Sequence, residues 1–106
     1  MIRNSAEENA QKLKQALAIT KNEFVRLETL SNTYSFGYQL YVIFTEPEIK
    51  QDIYQTLGPK IQAQTTKPIV MLGDVFKPNT SDYFFPSDGH LSLKGNAKLA
   101  EFLLSQ

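Results

Sequence analysis

His90 is the only histidine of the sequence, and a carboxylate, Asp88, stands two residues before it with Gly89 between them. An imidazole can take up a proton near neutral pH. A carboxylate beside it orients the ring and stabilises its protonated form, so the two together make half of a charge-assisted general base for a hydroxyl nucleophile. Tyr83-Phe84-Phe85-Pro86 leads into this stretch and can wall off water on one side. Asp-Gly is also a common surface turn. From spacing alone, an exposed turn with a histidine flanking a helix stays open as the alternative. Ser87 reads as a turn or capping residue and Ser92 as the N-cap of a following helix.

The elements that must position this stretch are read from periodicity. Ala6, Ala10, Leu13, Leu17, Thr20, Phe24 and Leu27 recur at alternating steps of four and three, which predicts a helix from Ser5 to Leu30. Its charged residues, Lys12, Lys14 and Lys21 among them, form a solvated face; the helix is expected to pack on a sheet, with a coiled coil as the alternative reading of the same stripe. A turn-rich break covers Ser31 to Gly37. Tyr38 to Phe44 is rich in β-branched and aromatic residues and predicts a strand buried on both faces. Thr45-Glu46-Pro47-Glu48 is a capping box, and Ile49, Ile53 and Leu57 are the stripe of a second helix that Gly58-Pro59 should end or kink. Ile69 to Leu72 is a second buried strand, after which Gly73-Asp74-Val75-Phe76 leaves its end and residues 77–86 read as loop. Leu93 to Leu104 is a short amphipathic helix. The order α-β-α-β-α implies a right-handed parallel unit. Two strands alone make a poor sheet with two edges, so more chain or a partner is expected to complete it.

With 106 residues the chain is expected to be a single domain, and 42% hydrophobic with 21% charged residues is ordinary for a folded one. Eleven basic residues balance eleven acidic ones, which removes the electrostatic case for nucleic acid or an anionic membrane. There is no cysteine, so disulfides, thiolate chemistry and Cys-based zinc sites are excluded, and the chain suits either a reducing or an oxidising compartment. No apolar run reaches the ~18 residues of a membrane span, and Met1 to Glu8 has no signal-peptide core. Asp74 with Asp82 or Asp88 is a weak metal signal, and no cofactor signature is present, so neither metal nor cofactor is expected.

Phe85-Pro86-Ser87-Asp88-Gly89-His90-Leu91-Ser92-Leu93-Lys94-Gly95, followed by Ala97, Ala100 and a Leu-rich end, resembles the last conserved block of the SGNH/GDSL hydrolase superfamily. The resemblance covers about twenty residues well and the order of elements loosely. It implies a flavodoxin-like α/β/α sandwich, of which this chain would hold a part with a short parallel sheet. It also implies ester hydrolysis at a Ser-His-Asp site, with a small-molecule or carbohydrate ester as substrate. His90 matches the family's general base and Asp88 its orienting acid. The nucleophile and oxyanion blocks have no counterpart, since Gly73-Asp74 is followed by Val75 rather than Ser. The sequence is therefore expected to be the C-terminal portion of such an esterase, inactive by itself. The alternative is a non-catalytic α/β interaction module that pairs as a homodimer.

Overall fold

The computed structural model of the protein describes residues 5–86 and 89–106. Its first element is a helix of 30 residues, α1 (Ser5–Tyr34), about 45 Å long. The predicted stripe is its covered side from Leu13 onward: Leu13, Leu17, Thr20, Phe24 and Leu27 are half-buried and Ser31 is buried, whereas Ala6 and Ala10 are exposed. The helix outruns the predicted break because the hydroxyls of Thr29 and Thr33 donate back to the carbonyls of Val25 and Thr29, so they do not compete with the ladder. It stops at Ser35, whose φ of 57° is left-handed, and the Phe36 N–H closes a Schellman-type bond onto the Ser31 carbonyl at 3.2 Å.

The sheet has two parallel strands, β1 (Leu40–Val42) and β2 (Ile69–Met71), and the Leu72 N–H continues the ladder to the Val42 carbonyl at 3.0 Å. The fold is thus mixed α/β. β1 is shorter than predicted and is not buried on both faces: Leu40 and Val42 are half-buried and Phe44 is buried, but Tyr41 and Ile43 on the opposite face are 36% and 42% exposed. The sequence there is apolar at every position, so the one-sided burial could not be read from it.

The region after β1 forms two helices rather than one. Thr45 and Glu48 make the predicted capping box of α2 (Glu46–Lys50). The chain then breaks at Asp52, where φ is 59°, and restarts as α3 (Tyr54–Gln62). The break rephases the stripe, so Tyr54 and Gly58 are buried while Ile53 is exposed. Pro59 lies inside α3 instead of ending it. A proline clashes with the Cβ of a helical predecessor, and Gly58 has none.

Two one-turn helices follow β2: α4 (Gly73–Phe76) and, within the predicted loop, α5 (Thr80–Tyr83). The last helix, α6 (Leu93–Leu104), has the predicted limits and its predicted cap, Ser92. Gly95, Lys98, Leu99 and Phe102 form its covered face at steps of three and four.

The chain divides into two compact units, Met1–Leu40 with Pro59–Pro68 and Tyr41–Gly58 with Ile69–Gln106. In the first, the Tyr38 hydroxyl donates to the Glu28 carboxylate, and Lys67 lies over the Tyr38 ring with its Nζ 4.8 Å from the centroid. The second holds the described buried hydrophobic residues: Phe44, Ile49, Tyr54, Leu72, Phe76 and Phe84.

Candidate active site

The segment that carries His90 rises from an aromatic base. Phe76 is fully buried and meets the Tyr83 ring edge-on at 5.5 Å and the Phe84 ring at 6.0 Å. Phe84 bridges Leu91 in antiparallel fashion. Around that bridge the Phe85 N–H donates to the His90 carbonyl at 3.0 Å, and the Ser92 N–H donates to the Tyr83 carbonyl at 2.9 Å. The result is a closed neck with His90 just above it. His90 is exposed, and Gly89 before it has a left-handed φ of 78°. Asp88 and Ser87 lie outside the described residues.

Below the neck, the Ser92 hydroxyl donates to the Asp82 carbonyl at 2.6 Å and accepts the Gly95 N–H at 3.1 Å. Gly95 faces the backbone of Tyr83 so closely that a Cβ there would stand 2.1 Å from the Tyr83 oxygen. A glycine three residues past the cap is therefore a steric requirement of this junction.

The other carboxylates singled out in the sequence are engaged elsewhere. Asp74, just past β2, accepts the Tyr54 hydroxyl at 2.6 Å. That bond raises the Tyr54 phenol above its ordinary value, with burial and the Asp74 charge acting the same way. Asp74 lines a shallow cleft with Lys98, Glu101 and Phe102, whereas Asp82 lines a different one with Lys50, Lys77 and Asn79. Among the described residues no cluster of three or more His, Asp or Glu side chains could hold a metal ion. Lys77 serves the fold: its Nζ reaches the Ile49 and Lys50 carbonyls at 3.1 and 3.3 Å and the Asp52 carboxylate at 2.8 Å, closing the C-terminal end of α2.

The Tyr54–Asp74 pair and the Lys77 cap were not foreseen. Both depend on the left-handed turn at Asp52, which nothing in a polar Gln51-Asp52 step announces. No protein-family profile matches the chain, and no curated protein or solved structure matches it either.

Proposed function

We propose that this chain is the C-terminal part of an SGNH-type ester hydrolase. His90 is the general base that later protonates the leaving alcohol, and Asp88 is the acid that orients its ring. The nucleophilic serine and the oxyanion donors come from polypeptide outside this sequence, which also extends the two-stranded sheet toward a flavodoxin-like three-layer arrangement. The substrate is a small-molecule or carbohydrate ester. The observation that carries this reading is the neck between Phe84 and Leu91. It holds the sole histidine exposed above a braced helix start, with Ser92 and Gly95 each given a steric or hydrogen-bonding reason. A general base needs that combination of access and fixed approach. The test is a screen of short p-nitrophenyl esters on the longest natural form, beside His90→Ala. Turnover in the parent and a loss of at least about 10³-fold in the variant are expected. Undiminished turnover in the variant removes His90 from the chemistry.

One observation favours a second reading, a non-catalytic module that pairs as a homodimer. The stretch Tyr38–Phe44 has neither charge nor proline to discourage pairing, and Tyr41 and Ile43 are exposed. Sedimentation velocity at rising protein concentration separates the two. A monomer at every concentration, from a cooperatively folded chain, eliminates the module.

A further inference from the structure

We infer that Ser92 is a positioning residue for His90, acting through a latch that is separate from its helix cap. The inference rests on the reading of His90 as a base. Two main-chain bonds close the neck below His90, Phe85 N–H to His90 and Ser92 N–H to Tyr83. The Ser92 hydroxyl adds a side-chain tie at the same place. It faces two ways, accepting from Gly95 in the first turn of α6 and donating to the Asp82 carbonyl in α5.

Capping needs only the acceptor half of that hydroxyl. Aspartate, which has no hydrogen to give when ionised, caps a helix as well as serine does. The donated bond at 2.6 Å therefore adds nothing to the cap. What it does is join the end of α5 to the residue where the His90 segment re-enters helix. Both strands of the neck are then fixed to one point, two residues from the imidazole. Gly95 against the Tyr83 backbone removes the remaining slack in the same junction. A base that must meet a hydroxyl within tenths of an ångström depends on such support, because a displacement of about 1 Å can cost about 10²-fold in rate.

Three substitutions separate the two halves of the hydroxyl. Ser92→Asp keeps the acceptor and loses the donor, Ser92→Ala loses both, and Ser92→Thr keeps both. In the 106-residue chain, the melting midpoint reads the cap and nuclear spin relaxation of the His90 ring reads its order. In the longest natural form, kcat for a p-nitrophenyl ester reads alignment. Ser92→Asp keeps the cap and is expected to melt above Ser92→Ala, while its ring becomes as mobile as in Ser92→Ala and kcat falls about tenfold or more. Ser92→Thr is expected to restore both, and Ser92→Ala to lose stability as well. An Asp variant with parental ring order, or one whose losses simply follow its melting midpoint, overturns the latch. If the longest form turns over no ester, the base reading has failed, and ring order in the shorter chain still decides whether the latch exists.

Discussion

Two phenols make the residue-scale electrostatics of this protein measurable. The Glu28 carboxylate that accepts the Tyr38 hydroxyl pushes its pKa up to about 12, and Asp74 raises Tyr54 in the same manner. An unfolded tyrosine titrates near 10. A pKa raised on folding means that both phenols contribute stability that is fully present below pH ~10. That contribution is lost as pH rises through the folded value, for Tyr38 between about 10 and 12. Ultraviolet titration should show a phenol ionising near pH 12 that is missing in Tyr38→Phe. A titration unchanged by Tyr38→Phe above the ordinary value contradicts the pairing. Neither pairing was evident in the sequence. Glu28 reads there as one more charge on a solvated helix face, and Tyr54 falls one residue out of phase with the stripe of Ile49 and Ile53.

At the scale of elements, legibility followed local chemistry. The Thr45 box and the Ser92 cap were readable because a cap oxygen and its amide lie within three residues of each other. Signals that depend on a distant or absent group misled. Gly58-Pro59 looks like a stop or a kink, yet α3 runs through it, and the residue before the proline lacks the Cβ that would help to end a helix. The cluster from Ser31 to Gly37 looks like a turn, yet the helix carries its threonines by back-bonding and turns at Ser35 rather than at the glycine. Of the candidate site, the His90 segment and the helix behind it were legible, but the antiparallel bridge that closes the neck was not. Asp88-Gly89 is a turn pair, but no run of alternating apolar and polar residues flanks it to mark a hairpin. Gly95→Ala tests the junction directly. Alanine is the better helix former by up to about 1 kcal/mol, so propensity alone predicts a gain. The Tyr83 carbonyl in the way predicts a net loss of about 1–3 kcal/mol instead. Chemical denaturation gives the sign, and a stabilised variant would mean that the helix start is not braced against that backbone.

On the scale of the whole molecule, burial is unevenly shared. The largest fully buried side chains among the described residues, Ile49, Leu72 and Phe76, belong to the unit Tyr41–Gly58 with Ile69–Gln106, as does the His90 segment. The other unit relies on a half-covered helix and on polar ties such as Tyr38 to Glu28 and Gln62 to the Lys67 carbonyl at 2.8 Å. Local opening is easiest where few apolar groups leave water, so α1 is the region whose amides should be least protected.

The order in which the chain visits its two units has a consequence for anyone shortening the gene. A reading frame begun at Tyr41 would retain every side chain of the aromatic base and carry Pro59–Pro68 as an internal excursion. No single uninterrupted fragment contains the other unit without also containing Tyr41–Gly58. Deletions from the two ends of this chain therefore strike different units: trimming from the front takes Met1–Leu40 before it touches the aromatic base, whereas trimming from the back takes α6 first and so enters the unit that holds that base.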